Sequence, residues 1–461
     1  MTVVAIVGAG PAGLRAAEQL VAAGLRPVLL DESPRVGGQI YRQPPPALQR
    51  PARELYGFAA PRAQALFDRW AALQPQVDHC PGTLAWHLQD RRLHLLQDGL
   101  PSTLRFDALV LATGATDRVL PFPGWTLPGV FTLGAAQVAL KAQATLLGPR
   151  IVFAGTGPLL YLVAWQYAKA GADVRAVLDV APSDAPRRAL PQLLSRPGLA
   201  LQGALLLARL RLMGVPVQRG VRLLGADGDA RVQALRWQAA GQTRSTPCDA
   251  VAFGHGLRSE TQLADLAGCA FDWDEVDQAW LPRCDAQGRS SVPGVYLAGD
   301  GAAIRGADAA ERAGARAAQA LLADLGRPVP PPTPAPPADE RWRRALQALS
   351  PLPAGWAAHT PDELLVCRCE EITAGELRAE ARHSGAHELN RLKALTRIGM
   401  GRCQGRMCGA AAARLLAHAA GVPLQAVGRL RTQPPVKPVP VQALAAAAPP
   451  AMPVPEDQRD D

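Results

Sequence analysis

At 461 residues the chain has room for two or three domains, each with a sizeable core, and its 48% hydrophobic share is that of a globular protein. The formal charge of +9 comes almost wholly from arginines scattered along the sequence. No run of basic residues interleaved with aromatics suggests a nucleic-acid groove, so no nucleic-acid partner is expected.

The first predicted element is an apolar strand, Val3 to Val7, which follows Met1-Thr2 so directly that a secretory signal does not fit. A cytoplasmic location is expected, with peripheral attachment at the inner face of the membrane left open. The strand runs into Gly8-Ala9-Gly10-Pro11-Ala12-Gly13 and then an alanine-rich helix ending at Gly24. Strand, glycine turn and helix in that order make a G-x-G-x-x-G dinucleotide fingerprint. Gly8 allows the tight turn, Gly10 admits a pyrophosphate against the backbone, and Gly13 lets the helix pack close to the strand. Phosphates then sit on the helix N-terminus, where N–H groups and the dipole favour negative charge.

A second strand, Pro27 to Leu30, ends at Asp31, the right distance after the glycines to accept hydrogen bonds from an adenosine ribose. Glu32 and the Gly37-Gly38-Gln39 turn follow, then a proline-rich loop through Pro46. Helical patterning resumes from Pro61 to Leu73, and Leu93 to Leu96 and Phe106 to Leu111 read as strands. The latter closes on Ala112-Thr113-Gly114, with Pro121-Phe122-Pro123-Gly124 beyond it. This sequence resembles the crossover between the FAD domain and the second nucleotide domain of two-domain flavoproteins.

Ile151 to Ala154 begins an echo of the N-terminus, with Gly155-Thr156-Gly157-Pro158 and a helix to Ala170; the stretch lacks charge but reads as strand-turn-helix, not a membrane span. Its third glycine position is Leu160, which is expected to hold the helix off the strand and makes NAD(P) binding there doubtful. Asp179 stands where a ribose acid would, though a solvated strand-end carboxylate is the alternative. Later, Ala250 to Phe253 and Gly294 to Asp300 return the chain to its first domain. A strand ending in Gly299-Asp300 resembles the second FAD motif, which implies cofactor contacts for both residues; Asp300 as a helix N-cap is the competing reading.

Residues 327–337, RPVPPPTPAPP, predict an extended, semi-rigid linker. A proline- and alanine-rich tail begins near Gln433, and its acidic end, Glu456 to Asp461, is expected to be disordered. Between linker and tail stand Cys367-Arg368-Cys369-Glu370 and Cys403-Gln404-Gly405-Arg406-Met407-Cys408. Thr373 with Glu376 predicts a capping box, His387 to Thr396 a second helix, and the segment from Cys408 through Ala419 a third. Four thiolates suit a two-iron cluster, two per iron. Zinc also takes four cysteines but favours C-x(2–4)-C knuckles over C-x-C. Arg368, Arg397, Arg402 and Arg406 are placed to offset the cluster charge. Cys80, Cys248, Cys269 and Cys284 read as small buried hydrophobes.

The cysteine segment, with Gly399-Met400-Gly401 before Cys403, resembles the bacterioferritin-associated-ferredoxin-like [2Fe-2S] domain. The whole chain is similar to the A (alpha) subunits of heteromeric dehydrogenases of the opine oxidase, hydroxyproline dehydrogenase and hydrogen cyanide synthase type. That resemblance implies an α/β fold: two Rossmann-like domains as in glutathione-reductase-like flavoproteins, plus a small helical [2Fe-2S] domain. Expected bounds are 1–118 with 270–326 for FAD, 119–269 for the second Rossmann unit, 327–339 for the linker, 340–432 for the cluster domain and 433–461 for the tail.

Candidate cofactor contacts are Gly8, Gly10, Pro11, Ala12 and Gly13 in the first turn; Asp31, Glu32, Gly38 and Gln39 next; then Ala112, Thr113 and Gly114; finally Gly299 and Asp300. Candidate cluster ligands are Cys367, Cys369, Cys403 and Cys408. No thiol pair follows Gly38, which argues against a disulfide reductase. Catalytic residues stay unassigned, since no Ser/His/Asp or metal–histidine constellation stands out; His255, between Gly254 and Gly256, is the histidine singled out for a cofactor-site role. The resemblance implies an electron-transferring subunit that serves a substrate-oxidising beta subunit of the glycine/D-amino-acid oxidase type and passes electrons through FAD and [2Fe-2S] to an acceptor. The alternatives are a self-contained NAD(P)H-dependent reductase, or an assembly subunit holding a plain adenine nucleotide as a structural prop.

Overall fold

The structure, a computed structural model, describes residues 2–48, 50–331 and 334–447. The hydrophobic strand Val4–Val7 lies at the centre of a five-stranded parallel sheet whose order is Val295–Leu297, Ala108–Leu111, Val4–Val7, Val28–Leu30, Asp78–Cys80. Both faces of such a sheet are covered, which is why its central strands read as continuous apolar runs rather than alternating ones. The helices Pro11–Ala22 and Ala307–Asp324 pack against each other through small side chains: a Cβ on Gly314 would lie 1.9 Å from the carbonyl oxygen of Ala12.

A second parallel sheet repeats the plan, in the order Val217–Arg219, Asp173–Asp179, Arg150–Thr156, Ala250–His255, Val130–Thr132. Its chain enters and leaves the first sheet's side through two short strands, Ala115–Asp117 and Leu257–Ser259, paired antiparallel. Each parallel sheet has a three-stranded antiparallel neighbour, Thr83–Gln89 with Arg92–Gln97 and Leu100–Arg105, and Arg222–Asp227 with Ala234–Ala239 and Gln242–Pro247.

The C-terminal part is a short hairpin, Leu365–Cys367 with Ile372–Thr373, followed by helices Ala374–Ser384, Leu389–Thr396 and Gly409–Ala420. Its apolar core, including Leu377, Leu392, Ile398 and Leu415, is continuous with Phe122, Trp125 and Phe253 beside the second sheet. Two tryptophans pin this seam: Trp125 donates its Nε1–H to Leu365 O at 2.6 Å, and Trp356 donates to Pro121 O at 3.0 Å. The predicted crossover at Pro121–Trp125 is thus also a platform for the cysteine-bearing unit. No described helix is long and apolar enough to cross a membrane.

Three expectations are corrected. The extended linker ends early, because a helix, Pro337–Leu349, starts within it; proline suits the first turn of a helix, where its missing N–H costs nothing. Asp339 of that helix is buried and accepts from Arg196 and, at 2.6 Å, from Arg312. Pro332 and Thr333 of the linker lie outside the described residues. Cys284 is exposed and Cys80 half-buried, against the expectation that all four scattered cysteines fill cores; Cys248 and Cys269 do. The tail docks before it ends: Val436 is buried beside Leu88 and Leu95, and its N–H donates to Trp86 O at 3.0 Å. The acidic end expected to be disordered lies outside the described residues.

Candidate functional site

The first turn forms because three glycines allow backbone to touch backbone. A Cβ on Gly13 would lie 1.8 Å from Gly8 O, and one on Gly8 would lie 2.3 Å from Ala112 O. A Cβ on Gly38 would stand 3.0 Å from Gly10 Cα, one on Gly301 2.7 Å from Thr113 Oγ1, and one on Gly299 2.8 Å from Ala12 Cβ. The segments around Gly8–Gly13, Gly37–Gln39, Ala112–Gly114 and Gly299–Asp300 therefore meet at the carboxyl ends of adjacent parallel strands, where doubly wound sheets place their ligands. Pro11 opens the helix, and no side chain caps its first turn. This cradle fits a dinucleotide pyrophosphate.

The acids of the crevice are not equivalent. Asp31 accepts from Ala9 N and Ser33 N, each at 2.6 Å, which braces the turn; burial raises its pKa while those two bonds oppose the rise. Glu32 is exposed and pairs with Lys437 of the tail. Asp300 accepts from Arg305 N at 2.9 Å and Gly306 N at 3.1 Å, and burial raises its pKa. The N-cap of the following helix is Gly306, so the helix-cap reading of Asp300 is corrected. Gln39 is exposed, and next to it Ile40 O accepts from the buried Lys141 Nζ at 2.9 Å. Burial pushes Lys141 down to about 8. Nothing in the sequence marked Lys141, because its neighbourhood is made by residues a hundred positions away.

The second turn copies the backbone but not the opening. A Cβ on Gly155 would lie 1.8 Å from Gly254 O, the counterpart of the Gly8–Ala112 approach. Leu160 is fully buried among Leu133, Phe153 and Val163. Asp179 is also fully buried, against the expectation of a solvated carboxylate: it accepts from Tyr161 Oη at 2.5 Å and Ala181 N at 2.9 Å and pairs with Arg219 at 3.2 Å. Its oxygens are already committed to the protein. His255 is held well below its usual range, at about 3, by burial and then by Arg414 and Arg118. It is neutral and sits in the strand core rather than in the first crevice.

The four clustered cysteines come together because the hairpin carries Cys367 and Cys369 to the turn holding Cys403 and Cys408. The capping box expected for the first helix forms, with Thr373 Oγ1 accepting from Glu376 N at 3.2 Å and Glu376 accepting from Thr373 N at 2.7 Å. A Cβ on Gly401 would lie 2.3 Å from Cys369 Cβ, so the second turn must approach the first closely. Cys408 lies within hydrogen-bonding reach of both Cys367 and Cys403, and this contact is the largest cause that lowers Cys367 to about 6 and Cys403 to about 5, with backbone N–H groups adding to both. Cys369 in turn contacts Cys403. Among the described residues no three metal-binding side chains converge on one point. Cys408 contacts both Cys367 and Cys403, and Cys403 contacts Cys369, so the four sulfurs are linked as a four-thiolate metal site requires.

Of the arginines expected to offset a cluster, Arg397 is paired with Glu370 at 2.8 Å, Arg406 with Glu260 at 2.7 Å, and Arg368 lies over the Trp125 ring. Arg258, which sequence reasoning missed, faces Cys403 and Cys408 and donates to Gly405 O at 3.3 Å and Arg406 O at 3.4 Å. It arrives on the short return strand, so no local pattern announces it.

One residue ties the two sites together. Glu260 N donates to Gly114 O at 2.9 Å and Glu260 O accepts from Thr113 Oγ1 at 2.6 Å, while its carboxylate holds Arg406 between Cys403 and Cys408. Beside it Gln262 Nε2 donates to Gln404 O at 2.8 Å, and Asp265 takes both guanidinium nitrogens of Arg429 at 2.7 and 2.8 Å.

Comparison with known proteins agrees with this geometry. Residues 2–317 match the family model "Pyridine nucleotide-disulphide oxidoreductase", and residues 365–418 match "BFD-like [2Fe-2S] binding domain". The opine oxidase A subunit of Rhizobium meliloti is 39% identical over 96% of this chain and 87% of its own length. Hydrogen cyanide synthase subunit HcnB of Pseudomonas aeruginosa is 33% identical over 95% of this chain and 97% of its own. The crystal structure of L-proline dehydrogenase from P. horikoshii shares the fold, with a TM-score of 0.69 and 20% identity over 96% of this chain and 79% of that one. The first match implies FAD and the second a [2Fe-2S] cluster, which the glycine cradle and the paired thiols respectively fit. The chain belongs to the pyridine nucleotide-disulphide oxidoreductase family, among the opine-oxidase-type A subunits that carry a BFD-like [2Fe-2S] domain.

Proposed function

We propose that this chain is the electron-transferring alpha subunit of a heteromeric, flavin-dependent amino-acid or imino-acid dehydrogenase. Flavin supplies two-electron chemistry and the cluster one-electron chemistry, so a chain carrying both converts one into the other. Gly8, Gly10 and Gly13 take the pyrophosphate, and Pro11 and Ala12 bring the helix end against it. Asp31 and Glu32 serve the adenosine ribose; Gly38, Gln39, Ala112, Thr113, Gly114, Gly299 and Asp300 line the rest of the cofactor. Cys367, Cys369, Cys403 and Cys408 hold the cluster, and Arg258 balances its charge. In this reading the flavin unit spans residues 1–118 and 270–326, the second Rossmann unit 119–269, and the cluster unit runs to residue 432 from the helix at Pro337. The substrate C–N bond is oxidised by a beta subunit of the glycine/D-amino-acid oxidase type, and electrons leave from the cluster to an acceptor on the cytoplasmic side.

The observation that carries the reading is the Glu260 bridge, which fixes the Ala112–Gly114 turn to the cysteine loop in one folded body. The closed second turn supports it over an NAD(P)H-dependent reductase: Leu160 fills the helix–strand gap and Asp179 is spent on Tyr161 and Arg219. The test is turnover. The purified chain, assayed with opines and imino acids and an artificial acceptor, is expected to be nearly inactive until the beta subunit is added. Full activity from the single chain, or rapid anaerobic bleaching of its flavin by NADH, overturns the proposal.

A further inference from the structure

The segment from Ala185 to Ala226 holds seven arginines and no acidic residue. It contains the helices Ala185–Leu193 and Pro197–Leu212. The second of these packs on the helix Pro158–Lys169, with Leu206 and Leu210 turned into the core that holds Val163 and Tyr167. Its opposite side is apolar as well. Leu201, Leu205, Ala208 and Leu212 recur at i, i+4, i+7 and i+11, which aligns them in one stripe. All four are exposed, Leu201 at 60% and Leu212 at 87%. Leu190 and Leu194 before the helix and Met213 just after it are exposed too. A helix that is apolar on both sides is normally covered on both. Here one side meets no protein among the described residues, and apolar surface of this kind marks an interaction site.

The charges around the stripe select its occupant. Arg209 and Arg211 flank it, one on each side, since each residue turns the helix by about 100°. Arg188, Arg196 and Arg219 are spent on Asp184, Asp339 and Asp179, which leaves Arg187, Arg209 and Arg211 without a carboxylate among the described residues. Arg209 lies 4.4 Å from the centre of the exposed Phe58 ring, which stacks on Trp165, and Lys169 stands 5.5 Å from that ring in turn. A second copy of the chain would set these cations against their own kind, because the segment offers no acid to receive them. Anionic headgroups over hydrocarbon answer both the arginines and the leucines: arginine stems lie along apolar surface while their heads reach phosphate. The helix has 16 residues, about 24 Å in length, which is shorter than the hydrocarbon layer, so it lies along a bilayer and not across it.

We propose that the outer side of the helix Pro197–Leu212 docks on an anionic phospholipid bilayer, with Leu201, Leu205 and Leu212 entering the acyl boundary and Arg209 and Arg211 reaching the headgroup phosphates. Such helices bind through apolar area and through attraction to anionic lipid, two contributions that separate experimentally. The proposal gives a surface to the peripheral attachment that the sequence left open. It does not rest on the redox reading above, since none of these residues belongs to the glycine crevice or to the cysteine loop.

The test uses full-length holoprotein and sedimentation with vesicles of phosphatidylcholine alone or of equal parts phosphatidylcholine and phosphatidylglycerol. The protein is expected to sediment with the mixed vesicles, less so as salt rises, and to stay in solution with phosphatidylcholine. Arg209→Gln with Arg211→Gln should weaken binding by about thirtyfold at low salt, and Leu201→Gln with Leu212→Gln by about tenfold or more. Leu100→Gln, at an exposed leucine of the first antiparallel sheet, should bind as the parent does. Each variant should match the parent in melting temperature and in flavin and cluster absorbance, because the altered side chains are exposed. A tryptophan placed by Leu205→Trp should shift its emission to the blue on the mixed vesicles. Equal binding to both vesicles, binding to neither, or unchanged binding in the double leucine variant overturns the proposal. So does light scattering that shows a dimer, or a complex with the beta subunit, which the double leucine variant takes apart.

Discussion

Trp125 offers the sharpest test of how the cysteine-bearing unit is held. It is 2% exposed, stands edge-on to Phe253 at 6.3 Å, and gives its indole N–H to Leu365 O, two residues before Cys367. Trp125→Ala removes a buried aromatic from the shared core, a change that costs about 3–5 kcal/mol, and also strands the Leu365 carbonyl. Trp125→Phe keeps most of the apolar volume but loses the donor, so its cost is about 1–3 kcal/mol, that of a buried acceptor left unsatisfied. The difference between the two variants separates packing from hydrogen bonding. Urea unfolding followed by tryptophan fluorescence and by cluster absorbance should place both variants below the parent, with Trp125→Ala lower. Midpoints for both variants within a few tenths of a kcal/mol of the parent would refute the docking argument.

Further outcomes follow from single contacts. Gly13→Ala places a methyl group 1.8 Å from Gly8 O and must push the helix off the turn, so purified protein should retain little flavin while keeping its cluster absorbance. Cys403→Ser should abolish the cluster spectrum, whereas Cys284→Ser, at an exposed position, should leave it intact. Lys141, held down at about 8 by burial, binds fewer protons folded than unfolded between that value and its ordinary one, so its penalty is full below pH 8 and fades as pH rises towards 10.5. Lys141→Met should therefore be more stable than the parent near pH 7, by up to about 3 kcal/mol less the lost Ile40 bond, and the advantage should shrink by pH 10. A pH-independent difference between the two proteins would contradict the assignment.

The fold and most of the candidate site were legible from local signals. The Gly8–Gly13 turn, the Ala112–Gly114 strand end, the Thr373–Glu376 box and the cysteine spacing are each encoded within a few residues, because turns, caps and ligand pairs are short-range devices. Even the defect at Leu160 could be read from one position. What could not be read were relations across the chain. Asp179 looked like a solvated acid because its partners Tyr161 and Arg219 lie on a neighbouring helix and strand. Proline content suggested an extended linker through residue 339, yet Arg196 and Arg312 draw Asp339 into a helix that Pro337 can open.

By itself, then, the sequence determined which pieces exist: two strand-turn-helix units, one open and one closed, and a four-thiol unit. Only the tertiary structure decided how they join, through Glu260 between Gly114 and Arg406, Trp125 on Leu365, and Arg118 and Arg414 lining one cavity. The physical reason is range. Backbone turns and caps are settled by neighbours a few residues apart, whereas burial, counter-charges and empty spaces are created by residues that meet only after the chain has folded.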